Sequence, residues 1–296
     1  MEITVRRSHD KNGMRMLCTL IWPPGSSSMN SNLERMIYMK RYMICLLLSL
    51  MLTVAVAAQD KPKVDVAKED GKAAAGSAVA LPTVDEVLDK YVKAIGGKEA
   101  IEKLKSRSIK GAFEIESMSI TGGFESYQKA PDKWASIVNV PNMGTFSQVY
   151  DGAKGWDNDP MNGFRELSGA ELAARKREAD FYQEVNFKKN FAKIEVKGKD
   201  KVGSSDVYLV EATPADGAPE KLYFDVNTGL LVRQDSERES PQGKMPVEFY
   251  LDDYKVVDGV KIAHSLKQIT PMFAMTLKFS EVKHNTEIDE KVFNKP

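Results

Sequence analysis

The sequence is poor in the residues that build covalent or metal-based sites. It has two cysteines in 296 residues, Cys18 and Cys45, and both precede the region predicted to fold. A mature chain that starts near Gln59 contains no cysteine, which excludes a disulfide, a thiolate nucleophile and a cysteine-ligated metal. His264 and His284 fall on separate predicted strands, without the close spacing of paired metal ligands. We therefore predict no metal site.

The chain also lacks an excess of either charge. Lys plus Arg and Asp plus Glu each total 42, which gives a formal net charge of zero. A nucleic-acid-binding protein normally has a basic excess or a basic face, so this balance argues against a nucleic-acid partner. The hydrophobic fraction of 42% is ordinary for a soluble globular protein, and the length suits one or two domains with a buried core.

Motifs of nucleophilic and nucleotide chemistry are missing as well. The chain has no Gly-x-Ser-x-Gly elbow, no phosphate-binding Gly-x4-Gly-Lys-Ser/Thr loop and no Gly-x-Gly-x-x-Gly turn. Asp157-Asn158-Asp159 is similar to the start of a calcium loop, but the ligand spacing breaks at Pro160-Met161, which favours an acidic hairpin tip. These absences predict a protein that is not an enzyme and holds no cofactor, while scattered carboxylates leave acid–base catalysis open as an alternative.

Residues 39–58 have the order of a secretory signal peptide. Positive charge at residues 39–41 is followed by an apolar run, Tyr42–Val54, and by a stretch of small residues. The run is shorter than the roughly 20 residues that span a bilayer, so we predict cleavage after Ala57 or Ala58 instead of a retained anchor. A lipoprotein needs a cysteine at the end of the run, and Cys45 lies near its start. The expected product is periplasmic, soluble and not stably inserted in a membrane.

The segments on either side of this leader lack periodic apolar residues. Residues 1–38 make no sense in front of a signal peptide, and we interpret them as a mis-assigned upstream or disordered segment, with the true start at Met36 or Met39. Residues 59–81 are rich in Lys, Asp, Ala and Gly and cannot bury enough apolar surface to offset their ordering entropy. They are predicted to form a disordered linker to a folded domain at 82–296.

Two capping-box patterns predict helix starts within this domain. Thr83-Val84-Asp85-Glu86 precedes apolar residues at helical spacing, and Gly96-Gly97 ends that helix. A short second helix is expected at Lys98–Leu104. Ser168-Gly169-Ala170-Glu171 has the same capping-box form and predicts a helix that runs to about Phe181.

Between and after these helices the apolar pattern has a period of two, which is typical of strands. Turn residues such as Asp151-Gly152 separate the segments, and this pair predicts a hairpin. Many short strands at even spacing, with helices before and inside the series, favour an α+β, mostly antiparallel β domain whose helices cover one face of a curved sheet. The predicted strands are Ser108–Glu116, Ser119–Lys129, Lys133–Val140, Thr145–Tyr150, Lys154–Asp157, Ala192–Val202, Asp206–Thr213, Glu220–Asp225, Leu230–Glu239, Met245–Val257, Val260–Thr270 and Met272–Lys283.

Four local motifs, in this order along the chain, resemble bacterial outer-membrane lipoprotein-sorting-like proteins. They are Tyr91 to Ala100, Tyr127 to Trp134, Val149 to Trp156 and Leu222 to Leu231. The resemblance spans about residues 83–296. It implies the lipoprotein-carrier fold of the LolA/LolB type, an incomplete, half-open β-barrel, here of about 11 strands, with helices over a hollow that receives acyl chains. It also implies a periplasmic protein without catalytic residues or metal. The strand arginine that gates the carrier's lid and the acceptor's protruding apolar loop are not located in this sequence.

Aromatic and methionine side chains of the early and late strands are the candidate lining of this hollow. Methionine is flexible and polarizable, which suits ligands of variable shape. In an incompletely closed barrel, inward side chains face a hollow that is either filled by protein or occupied by ligand, and core packing is the alternative role for each of them. The predicted ligand-binding residues are Phe113, Phe124, Trp134, Phe146, Trp156, Phe249, Met272, Phe273, Met275 and Phe279.

The sequence thus favours a periplasmic carrier-like protein that holds lipid or lipoprotein acyl chains, in outer-membrane lipoprotein sorting or a related envelope role. A periplasmic sensor or structural subunit that binds an envelope protein partner through the same fold is the alternative from another class. A cofactor-free enzyme on this scaffold is a third, which a tight carboxylate–histidine–tyrosine cluster inside the hollow would favour.

Overall fold

The computed structural model describes residues 80–240 and 243–296, so the predicted leader, the upstream segment and the linker to residue 79 lie outside the described residues. No helix in this described part is long and apolar enough to cross a membrane. The helices are α1 (Val84–Ala94), α2 (Lys98–Glu102), α3 (Gly169–Ala179) and α4 (Phe187–Asn190), with 3₁₀ turns at Glu116–Met118 and Glu290–Phe293. The strands are β1 (Ser106–Ile115), β2 (Ile120–Lys129), β3 (Lys133–Val140), β4 (Gly144–Tyr150), β5 (Gly155–Asp159), β6 (Gly163–Glu166), β7 (Lys193–Val202), β8 (Ser205–Thr213), β9 (Glu220–Asp225), β10 (Leu231–Ser240), β11 (Gly243–Val257), β12 (Val260–Ile269) and β13 (Ala274–His284).

All of these strands belong to one antiparallel sheet with the order β6-β5-β4-β3-β2-β1-β13-β12-β11-β10-β9-β8-β7. Two meanders of chain neighbours are joined where β1 pairs with β13. The sheet ends at β6 and β7, which do not pair with each other, so it is open. The predicted class is confirmed: a mostly antiparallel α+β fold with a half-open barrel and covering helices.

The prediction of about 11 strands falls short of the thirteen described. Strand β6 has only four residues, Gly163–Glu166, and pairs with β5. An alternating pattern cannot be recognised over so short a segment, particularly one that starts at a turn glycine. The remaining predicted strands agree with the structure to within two residues at each end, and Lys133–Val140 and Glu220–Asp225 agree at both ends.

Helix α1 covers a few strands near one end of the sheet. Its predicted capping box is present: the Thr83 hydroxyl accepts from the backbone N–H of Glu86 at 3.2 Å, and the Glu86 carboxylate accepts from the backbone N–H of Thr83 at 2.7 Å. The apolar side of the helix packs into a buried cluster with strands β8, β9 and β10, and the Tyr91 and Phe224 rings lie 5.3 Å apart. We call the face of the sheet that α1 covers the inner face.

Helix α3 begins differently from its prediction. Ser168 is the N-cap residue, but its side chain makes no capping hydrogen bond. Glu171, the expected partner in the capping box, instead accepts two hydrogen bonds from Arg165 at 2.7 and 2.9 Å. The capping-box interpretation at this helix is therefore wrong, because an arginine on the neighbouring strand binds the glutamate.

The outer face carries a second, smaller core. Trp156 packs there with Ala135 and Val149, which are its neighbours across β4 and β3, and with Ile288 and Phe293 from the C-terminal segment. The 3₁₀ turn of this segment is fixed to the sheet by ion pairs from Lys129 and Lys133 to Glu290. These lysines lower the pKa of the Glu290 carboxyl to about 2.

The end of α1 generates a test of how it is docked. Gly96 has a φ of +126°, and a Cβ there would lie 2.3 Å from the carbonyl oxygen of Gly259, whereas a Cβ on Gly97 (φ +87°) would meet nothing within 4 Å. Both Ala variants carry the strain of a positive φ, roughly 1–2 kcal/mol. Gly96→Ala additionally forces α1 away from the β11–β12 turn, and we expect its free energy of unfolding to fall by about 1–3 kcal/mol more than that of Gly97→Ala. Equal losses in chemical denaturation would contradict this docking.

Candidate functional site

Several apolar side chains on the inner face lie outside the buried cluster, in a group that Gln268 of β12 interrupts between Phe249 and Met275. These residues, called here the apolar strip, are only half-buried, in contrast to the cluster beneath α1. Their common face follows from the register, since directly paired residues share a side of the sheet: Phe124 pairs with Val138 and Val138 with Phe146. The strip consists of Phe124, Val138, Phe146, Phe249, Met275 and Phe279.

Glycine on β1 brings two of these aromatic rings together. Gly111 is the direct partner of both Phe124 and Phe279, so no side chain stands between them. Their rings stack with centroids 5.6 Å apart and an interplanar angle of 19°. The result is a continuous apolar surface that crosses β2, β1 and β13 at the middle of the sheet.

The structure brings seven of the ten predicted ligand-binding residues to the inner face. Two others, Met272 and Phe273, lie in the β12–β13 loop, where their backbone N–H groups donate to the Thr270 hydroxyl at 3.3 and 3.1 Å. Trp156 requires a correction, because strand alternation directs it to the outer face, where it is 5% exposed in the C-terminal core. Ligand binding by the others stays a prediction. The seven on the inner face are Phe113, Phe124, Trp134, Phe146, Phe249, Met275 and Phe279.

Next to the strip, a cavity of about 410 Å³ lies beneath helix α3. It is bounded by α3, α4 and the inner face of β4, β5, β9, β10 and β11, and none of the ten predicted residues lines it. Twelve of the residues that line it carry charged side chains. Sequence reasoning missed them because charges on a strand or helix usually indicate a solvent-exposed face. The residue Asp157, interpreted from sequence as part of a hairpin tip, lies in this wall.

Ion pairs hold α3 over the cavity at both sides. Towards β5 and β6, Arg165 bonds Asp157 at 2.7 Å and Glu171 of α3 at 2.7 Å. Towards β9 and β10, Arg177 of α3 pairs with Glu220 at 3.2 Å, and Glu178 pairs with Arg238 at 2.7 Å. The helix thus spans from one part of the open sheet to the other and is fastened by charged groups.

Burial and neighbouring charge act in opposite directions on the carboxyl groups of these pairs. Burial raises the pKa of the Glu220 carboxyl even though the Arg177 guanidinium opposes it. For Glu178, burial alone would raise the pKa, but the guanidinium groups of Arg238 and Arg175 bring it below the ordinary value. The Glu178 carboxylate therefore stays ionised beneath the helix.

The strip and the cavity meet on shared strands. Phe146 of the strip and Gln148 of the cavity wall stand two residues apart on β4, and Phe249 and Leu251 do the same on β11. Two arginines cover the boundary: the Arg175 guanidinium lies 4.5 Å above the Trp134 ring and that of Arg238 lies 5.4 Å above Phe249. The apolar strip and the charged residues of the cavity wall are thus neighbours on the inner face.

Comparison with known proteins identifies the fold and nothing finer. No family model and no curated protein matches the chain. A lipoprotein-sorting protein domain of the outer membrane from Vibrio parahaemolyticus, described as putative, superposes with a TM-score of 0.50 at 14% identity and covers 70% of this chain and 97% of its own. The chain has the LolA-like fold. A LolA superfamily protein from Nitrosomonas europaea gives a TM-score of 0.49 at 12% identity, covering 73% of this chain and 99% of its own.

The fastening of α3 in this LolA-like fold can be tested by Arg165→Met. The change removes charge-assisted hydrogen bonds that join β5 and β6 to α3, each worth about 1.5–3 kcal/mol. We expect the amides of residues 169–179 to exchange with deuterium at least about tenfold faster, while those of α1 keep their protection. As a control, Arg233→Met breaks an ion pair with Asp235 on the opposite face. Equal protection of α3 in both variants would contradict the fastening.

Proposed function

We propose that this protein carries lipid or lipoprotein acyl chains in the periplasm, along the apolar strip on the inner face of its sheet and next to the cavity beneath helix α3. The half-buried apolar strip is the observation that carries this proposal. Contiguous apolar surface that a protein leaves incompletely covered commonly marks a binding site. The predicted leader supports a periplasmic location, and the LolA-like fold supports a binding role.

The strip supplies enough driving force for such a ligand. Burying one methylene group contributes about 0.8 kcal/mol, so a chain of about twelve methylenes gives on the order of 10 kcal/mol before the costs of association. Aromatic rings and the Met275 side chain provide contacts that adapt to chains of different shape. Binding then depends on apolar contact along the strip and needs no catalytic group.

Catalysis is less well supported by the arrangement of the titratable groups. The histidines of the described residues lie away from the cavity wall: His264 Nδ1 is 2.9 Å from the carbonyl oxygen of Ile262, and His284 Nδ1 is 3.2 Å from Asp258. The carboxylate–histidine–tyrosine cluster that would favour an enzyme is therefore not assembled at this cavity. We propose a carrier and not an enzyme.

Recognition of an envelope protein is the second candidate function. It is favoured by the hairpin between β5 and β6 at one end of the sheet, where Met161 and Phe164 are 41% and 40% exposed. Exposed apolar side chains beside an unpaired edge strand suit a protein contact. Such a partner would bind the edge, whereas a lipid would bind the strip.

Native mass spectrometry of protein exported to a bacterial periplasm, followed by lipid extraction, tests the carrier. We expect a co-purified fatty acid or phospholipid at about one per chain. Protein that emerges without any adduct and also fails to take up added fluorescent fatty acid would overturn the proposal and favour the protein partner.

The strip itself is tested by Phe124→Glu and Phe279→Glu. Each places a carboxylate in the centre of the apolar surface, and we expect the affinity for a fluorescent fatty acid to fall at least about tenfold, since desolvating a charge against an acyl chain is costly. Val256→Glu adds the same charge at a position that is 64% exposed and outside the strip. Val256→Glu is the matched control and should bind the fatty acid normally. An equal loss of affinity in all three variants would contradict acyl-chain binding at the strip.

A further inference from the structure

The cavity beneath α3 differs from the strip in that its wall carries many charges of both signs. Seven carboxylate side chains and five cationic ones line it. Most of the cations are already bound closely to a carboxylate, as Arg165, Arg177 and Arg238 are, at distances of 2.7 to 3.2 Å. An arginine that is buried without such a partner is therefore a distinctive feature of this wall.

Arg175 is that arginine. Its side chain is 7% exposed, and its ion pairs with Asp157 and Glu178 are long, at 3.7 and 3.9 Å. One hydrogen bond, from Nη1 to the Gln148 side chain, is 3.4 Å long, and the buried Nε–H has no hydrogen-bond partner. A guanidinium has five N–H donors, so most of the donor capacity of Arg175 is unused.

The fold contains a second buried arginine for comparison. Arg107 on β1 is 8% exposed, and it donates to His284 at 3.2 Å and to Gln128 at 3.3 Å. Its environment thus supplies two protein acceptors, and Arg107 is absent from the cavity wall. Arg175 lines the cavity, and burial lowers the pKa of its guanidinium, so an anionic group beside it would be favourable.

Unpaired acceptors accompany this donor. The Oδ1 atom of Asp157, on the carboxylate that faces Arg175, and the Oε2 atom of Glu184 are buried with no hydrogen-bond partner. Both residues line the cavity. Buried polar atoms normally have a hydrogen-bond partner, and a buried atom without one is destabilising. The cavity wall therefore contains one buried donor, Arg175 Nε–H, and two buried acceptors, Asp157 Oδ1 and Glu184 Oε2, that make no hydrogen bond.

We propose that this cavity binds a zwitterionic polar group of the phosphoethanolamine type, with the phosphate at Arg175 and the ammonium at the carboxylates of Asp157 and Glu184. The inference rests on the proposed function, in which the acyl chains of the same amphiphile lie along the apolar strip. The carboxylates in the wall outnumber the cations and would repel a purely anionic head group. A zwitterion instead offers an acceptor to Arg175 and donors to Asp157 and Glu184. At about 410 Å³, the cavity is within the range of small-molecule sites.

The test is isothermal titration calorimetry of the full chain with two soluble lipids that have identical tails, dioctanoyl phosphatidylethanolamine and dioctanoyl phosphatidylglycerol. We expect the ethanolamine lipid to bind at least about tenfold more tightly. Glu184→Gln should reduce this preference, Arg175→Gln should weaken the binding of both lipids, and Arg233→Gln on the outer face should leave both affinities unchanged. The difference in affinity between the two lipids for the wild-type protein tests the proposal even if Arg175→Gln does not fold.

The outcomes separate this inference from the proposed function. Tight binding of both lipids with equal affinity in the wild-type protein would overturn the zwitterion site and leave the carrier intact. Binding of neither lipid would overturn both. Chain-free glycerophosphoethanolamine that binds as tightly as the ethanolamine lipid would support the polar site and overturn the carrier, because the strip would then contribute nothing.

Discussion

Thirteen antiparallel strands present more inner surface than the helices of the described residues cover. Neighbouring strands lie about 4.8 Å apart, so a sheet of this width measures roughly 58 Å along its hydrogen bonds. The two longest helices, α1 and α3, have eleven residues each and measure about 16 Å. One helix can therefore close only a few strands. Much of the inner face is therefore left without a helix against it, and the apolar strip lies mainly on the strands β1 to β4 and β13.

Different interactions hold the two long helices against the sheet. Helix α1 has an apolar side and forms the main core with β8 to β10. Helix α3 is rich in charge and is held across the sheet by ion pairs with β5, β6, β9 and β10. Partly exposed ion pairs are weaker than a buried core and are screened by salt. We therefore expect α3 to be held less stably against the sheet than α1.

Local patterns predicted most of the fold, because strand alternation and turn residues are properties of short segments. The capping box at Thr83 and the hairpin at Asp151-Gly152 illustrate this, and both are present. Features that depend on which strands pair could not be predicted from the sequence. Trp156 reads as one more inward aromatic residue, and only its register with Val149 and the C-terminal segment places it outside.

The candidate site likewise has one part that local sequence patterns predict and one part that they do not. Five of the six strip residues, all except Val138, were predicted from sequence because large apolar side chains at alternate positions indicate one face of a sheet. The charged cavity could not be predicted, since Arg175 and Asp157 come from segments separated by a turn and a strand, and their meeting depends on how α3 crosses the sheet. Buried charges are rare, so local sequence favours exposed positions for both.

We propose that the acyl chain of a bound lipid lies against the apolar strip. Nuclear magnetic resonance of the protein with ¹³C-labelled dodecanoic acid tests it most directly, through intermolecular nuclear Overhauser effects. We expect contacts from the labelled chain to the Met275 methyl group and to the rings of Phe124 and Phe279. Contacts confined to the outer face around Trp156, or to the exposed hairpin at Phe164, would contradict it.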